Sequence, residues 1–201
     1  TSYTLRQSAD TLYKEAENIL LEELGLKDYQ PQNKKCFVKN LSDTKNAERI
    51  DAEYFQPKYE DVIDKIKTYK GGYDILRNIV KIKSGSLVSD NLYSNDKCGI
   101  QYIRVKDLNF KGEINKDTII HLKNFVSRNE TIAIKGDFII ATIGTVGKIG
   151  IIDDSLVGAI PSNNTSKISL KNKQNEFYYL LLFQSFIFQQ QIERQYTQTA
   201  Q

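Results

Sequence analysis

The sequence predicts an α+β protein: a long coiled-coil-type helix, then a β-rich domain with flanking helices. Three observations lead there. Apolar residues near the start recur in steps of four and three. From Leu76 onward, β-branched runs are separated by Gly, Asn, Asp and Ser. The closing stretch "FYYLLLFQSFIF", Phe177–Phe188, reads as a buried helix.

The front helix rests on Leu5, Ala9, Leu12, Ala16 and Ile19, spaced 4, 3, 4 and 3, the a/d rhythm of a coiled coil. Leu20 and Leu24 shift the stripe, and Gly25 offers a C-terminal stop. A helix over residues 2–24 would be about 35 Å long. Nothing nearby in the sequence covers its stripe. The helix either packs on its own domain or awaits a partner helix, with Leu5, Leu12, Ala16 and Ile19 as pairing residues. Gln30 to about Asp51 is polar, contains Pro31 and several Asn, and lacks periodicity, so it reads as a connector. Pro57 then opens a second helix carrying Tyr59, Ile63 and Ile66, and Gly71-Gly72 ends it.

The β part follows. "LRNIVKIKSGS", "IQYIRVKDLNF", "TIAIKGDFIIATIG", "KIGIIDD" and "TSKISL" carry β-branched runs or alternation. The expected helix Phe177–Ile192 closes the chain.

Composition narrows the function. Apolar residues make up 40% of the 201 positions, enough for a core. Residues 1–60 hold 9 Lys/Arg against 11 Asp/Glu, whereas residues 61–201 hold 19 against 14. A basic body behind an acidic front suits an anionic partner; ordinary charge scatter is the other reading. Cys36 and Cys98 are far apart and read as reduced thiols of a cytoplasmic protein. The single His121 has no Cys or His neighbour, which argues against zinc. No signal segment opens the chain, and the apolar stretch at Phe177 is too short to span a bilayer.

The stretch "FIIATIGTVGKIGII", Phe138–Ile152, invites comparison with a phosphate-binding P-loop and fails it three times. Thr142 stands where that loop needs Gly, and Ile149 where it needs Ser or Thr. A strand pattern follows where a helix is required. The better reading is strand, glycine turn, strand, with Thr142, Thr145 and Lys148 in the loop. A hydroxyl and an ammonium there suit a phosphate or a base edge; a turn that only closes a hairpin is the alternative. "KIKSGSLVSDNLYSN" brings Lys83 into Ser84-Gly85-Ser86, a second presented loop. "QYIRVKDLN" puts Tyr102, Arg104 and Lys106 on one face of an expected strand, able to track a phosphate backbone or simply to meet solvent. No nucleophile elbow, zinc-protease or Cys–His motif is visible, nor a methyltransferase or nuclease set, so no catalysis is expected.

In order, "LRNIVKIKSGS…YIRVKDLN…GEI…IKGDFIIATIGTVGKIGII…SNN…FYYLLLFQSFIFQQQI" resembles the target-recognition domain of type I restriction-modification specificity subunits. Related domains occur in fused type IIG enzymes. "LYKEAENILLEELGL" and "RIDAEYFQPKYE" also look like that family, in which they link a conserved helix to the next recognition domain. The pairing of "GDFIIATIGTVGK" with "YIRVKDLN" is the more specific signal.

The resemblance implies a non-catalytic chain that reads one half of a bipartite site in double-stranded DNA. It implies methyltransferase subunits that dock on it and a motor-nuclease subunit in the same complex. S-adenosylmethionine, ATP and Mg²⁺ are expected only on those partners, and no cofactor on this chain. It implies residues 1–28 as a spacer helix, 29–56 as a connector and 57–201 as a recognition domain truncated at its C-terminal end. It also adds Asn163 and Asn164 of the "SNN" segment to the DNA-binding set. The chain departs from the family in starting inside the conserved helix, in stopping at "YTQTAQ", and in having Gly85-Ser86-Leu87-Val88-Ser89 where Gly-x-Pro-Ser is usual. These features are expected of a fragment or half-subunit, whose front helix pairs with a second recognition half or a second copy. The competing readings are a module of a single-chain type IIG enzyme and a coiled-coil adaptor that reads no DNA.

Overall fold

In the computed structural model the described residues are 2–94, 96–123, 125–126, 130–172 and 174–196. The closing residues 197–201, part of the expected chain end, lie outside them. The chain forms two compact units, residues 1–73 with 185–201 and residues 74–184.

The first unit opens with helix α1 (Ser2–Glu23), within a residue of the expected span. Gly25, at φ 63°, turns the chain out of it. Helix α2 (Leu41–Ala47) lies in what reads as featureless connector. It buries no residue, so it leaves no hydrophobic period to detect. Its left-handed stop at Glu48, φ 53°, ends it after two turns. Helix α3 (Pro57–Lys67) starts on the proline and buries Lys58, Tyr59 and Val62. Leu26, Val62 and Ile187 form the buried centre of this unit, with Leu20, Leu21, Leu24, Tyr29, Ile66 and Phe186 packed around it.

The second unit starts with α4 (Leu76–Ile79), a single turn where a strand is expected. The strand β1 begins only at Val80 and runs to Ser84. β2 (Tyr93–Ser94), β3 (Ile100–Ile103), β4 (Ile120–Leu122), β5 (Phe138–Ala141), β6 (Ile149–Ile151), β7 (Ile160–Pro161) and β8 (Thr165–Leu170) follow. They form two four-stranded sheets, β1-β8-β5-β6 and β2-β4-β3-β7. The first is antiparallel throughout; in the second, β3 pairs with β7 in parallel. Ile103, Leu108, Ile139, Ala141, Ile152 and Leu156 are among the core residues.

The expected closing helix is two helices, α5 (Glu176–Gln184) and α6 (Phe186–Gln195). Ser185 is extended at φ −61°, ψ 151° and breaks the run, and its carbonyl receives the Phe188 and Gln189 amides. α5 belongs to the second unit, where Phe183 meets Phe138 edge-on at 5.2 Å. α6 belongs to the first, where Lys58 Nζ donates to Glu193 at 3.0 Å and Arg194 lies 4.6 Å over the Tyr54 ring.

Candidate nucleic-acid interface

β5 and β6 are antiparallel partners, with Ile140 opposite Ile149, so residues 142–148 are a hairpin loop. The hairpin is closed by the Ala141 amide donating to Lys148 O at 2.8 Å and the Gly147 amide donating to Ala141 O at 3.1 Å. Gly144 and Gly147 sit at φ 79° and 89°, where a side chain would strain the backbone. The strand after Lys148 and the absence of a helix start agree with the rejection of a nucleotide loop.

This loop does not stand alone. The Asn164 carbonyl accepts the amides of Thr142 and Ile143 at 3.0 and 3.2 Å and the Thr142 hydroxyl at 3.2 Å. The Ser84–Leu87 loop joins the same segment. The Gly85 amide donates to Thr165 O at 3.0 Å, and the Ser86 amide to Pro161 O at 2.9 Å. A Cβ on Gly85 would lie 2.0 Å from the Ser162 carbonyl oxygen, so the close approach admits only glycine. The Pro161–Thr165 turn therefore gathers two loops, 84–87 and 142–148, onto itself. Ser84, Thr142, Thr145, Asn163 and Asn164 are exposed there, and Ser86 and Lys148 are half-buried.

Two expectations need correction. Tyr102 is not a surface aromatic. It is 2% exposed, and its hydroxyl donates to Ser86 O at 2.8 Å; burial pushes its phenol above the ordinary range. Nor do Tyr102, Arg104 and Lys106 share a strand face. β3 ends at Ile103, and residues 105–107 form a 3-10 turn. Arg104 caps that turn and Asp107 reaches back to its amide at 2.8 Å, so the Arg104 side chain is held by Asp107 and by the Thr118 carbonyl. Lys106 is exposed. Lys83 is exposed on β1 and pairs with Glu130 at 2.5 Å. The segment Pro161, Ser162 and Thr165 is what sequence reasoning missed. Its role lies in backbone hydrogen bonds to residues far away in sequence, which no local pattern reports.

Among the described residues, no group of three or more His, Cys, Asp or Glu could hold a metal ion. No helix among them is long and apolar enough to cross a membrane. Cys36 and Cys98 are both exposed and free.

The family described as Type I restriction modification DNA specificity domain matches residues 75–201. The chain belongs to this family. The specificity-domain match takes in every loop gathered on the Pro161–Thr165 turn and leaves residues 1–74 outside. Two solved structures are similar to the chain. One is the HsdS subunit from Thermoanaerobacter tengcongensis, at 13% identity and TM-score 0.46. The other was solved in work on complex assembly and conformational transition of the type I R-M system, at 15% identity and TM-score 0.43. Each comparison covers 71% of this chain and 37% of the other. The chain thus spans well under half the length of those proteins. No curated protein matches it.

Proposed function

We propose that this specificity domain reads one half of a bipartite site in double-stranded DNA and directs methylation and cleavage by partner subunits. The carrying observation is the convergence of the 84–87 and 142–148 loops on the Pro161–Thr165 turn, with exposed amide and hydroxyl side chains. Amides and hydroxyls are the groups that read base edges, and lysines nearby hold phosphates as point charges. The excess of Lys/Arg in residues 61–201 supplies the attraction.

In this reading residues 1–28 are the spacer helix, 29–56 the connector and 57–201 the recognition domain. The chain itself performs no catalysis and carries no cofactor; methyltransferase and motor-nuclease subunits bring S-adenosylmethionine, ATP and Mg²⁺. The front helix pairs with a second recognition half or a second copy, in the cytoplasm. A gel-shift with mixed duplexes, with and without the methyltransferase subunit, tests this. Binding should weaken with salt, each neutralised phosphate adding about 0.9 to the slope of log K against log salt. A slope near zero in the assembled enzyme contradicts DNA reading.

A further inference from the structure

Two side chains expected to touch DNA spend their donors inside the protein instead. Tyr102 lies in a core cluster with Val88, Leu122 and Ile160, and its phenol reaches up to the Ser86 carbonyl at 2.8 Å. The Ser86 amide is held by Pro161 O, so this residue is fixed on both sides. Leu87, the next residue, is 80% exposed. Thr142 gives both amide and hydroxyl to Asn164 O. Only the lone pairs of its hydroxyl remain for a ligand.

We propose that Tyr102 and Thr142 are positioning residues for base reading: each holds one loop relative to the Pro161–Thr165 turn, and neither reads a base itself. This rests on the DNA-reading function proposed above and adds to it the source of its precision. A base-edge hydrogen bond must be placed to within about 0.5 Å, and exposed loops do not hold that tolerance unaided. Phosphate contacts are more forgiving, because a point charge acts over several ångströms. Losing either hydroxyl should therefore relax sequence discrimination while sparing sequence-independent binding. The backbone bonds of both loops survive the loss, so the fold survives as well.

The test uses the full chain assembled with the methyltransferase subunit. A duplex is selected from a random pool by the unaltered protein, and a scrambled duplex of the same composition serves as control. Dissociation constants are then measured for Tyr102→Phe, Thr142→Val and Thr142→Ser. Discrimination between the two duplexes should fall about tenfold in Tyr102→Phe and Thr142→Val. Thr142→Ser, which keeps the hydroxyl, should retain it, and affinity for the scrambled duplex should stay unchanged in all three. Undiminished discrimination in Tyr102→Phe and Thr142→Val overturns the proposal. So does equal weakening on both duplexes, which marks a purely structural role. If the unaltered chain selects no duplex at all, the DNA-reading function fails first and takes the proposal with it.

Discussion

Asp107, 1% exposed, accepts the Arg104 backbone amide at 2.8 Å and the Thr118 hydroxyl at 2.6 Å. The Arg104 Nε lies 3.3 Å from the same carboxylate. One buried carboxylate thus accepts from four donors, the Arg104 amide, Nε and Nη2 and the Thr118 hydroxyl, and holds the 3-10 turn that ends β3. Removing it leaves the Arg104 amide and Nε without their acceptor, while the Thr118 hydroxyl keeps the Asn115 carbonyl and Arg104 Nη2 keeps the Thr118 carbonyl. Asp107→Ala should cost about 3–5 kcal/mol, the range for breaking a buried, hydrogen-bonded ion pair. Urea unfolding checks this, and a loss under about 1 kcal/mol would mean that the turn stands without its cap.

The hairpin loop carries a second prediction. Lys148→Ala should weaken binding about equally on cognate and unrelated duplexes and lower the salt slope by about one unit. Thr145→Val should cost about 1–3 kcal/mol on cognate duplex alone. Unchanged affinity in both variants, with intact folding by circular dichroism, would leave the loop as a plain turn.

How much of this was legible in the sequence follows from the range of each interaction. The β5–β6 hairpin was legible because β-branched runs and glycines are local signals. β8 was legible for the same reason, and its bounds coincide with "TSKISL". Residues 102–106 misled because "YIRVK" alternates like a strand, whereas a buried carboxylate at Asp107 bends the chain after Ile103. The break at Ser185 falls on the polar pair Gln184-Ser185 inside an otherwise apolar run, and two polar residues alone do not signal the end of a helix. The Pro161–Thr165 turn joins loops through main-chain bonds spanning up to 80 residues, as from Gly85 to Thr165, and side-chain patterns carry no record of such bonds.

The front helix leaves its expected pairing stripe uncovered. Leu5, Leu12 and Ile19 are 72, 64 and 62% exposed, Ala16 is half-buried, and only Leu20, Leu21 and Leu24 reach the core of their unit. An exposed a/d stripe favours a partner helix over packing on its own domain. Replacing Leu12 and Ile19 with Asp should abolish pairing without unfolding the unit. Light scattering that gives the same mass before and after the change would show that the stripe pairs with nothing.

Acid should weaken the second unit through Asp153. The Lys116 ammonium, 2.5 Å away, holds its carboxyl below the ordinary 3.8, with the Ser155 hydroxyl helping. A depressed folded value means that the pair contributes fully above 3.8 and loses its contribution as pH falls below it, through the folded value. The side chain is half exposed, so the effect should stay under about 1 kcal/mol. Thermal melts between pH 5 and 2 should show a shallower acid loss in Asp153→Asn than in the unaltered chain. Parallel acid limbs would remove Asp153 from the account.

The most direct measurement is a map of methylated motifs in a cell carrying the intact system. With this chain unaltered, the map should show a bipartite motif. With Thr145→Val and Asn164→Ala combined in the exposed loops, one half of the motif should change or relax and the other should stay as it was. A motif unaltered in both halves, with the chain present and folded, would contradict the claim that these loops read DNA.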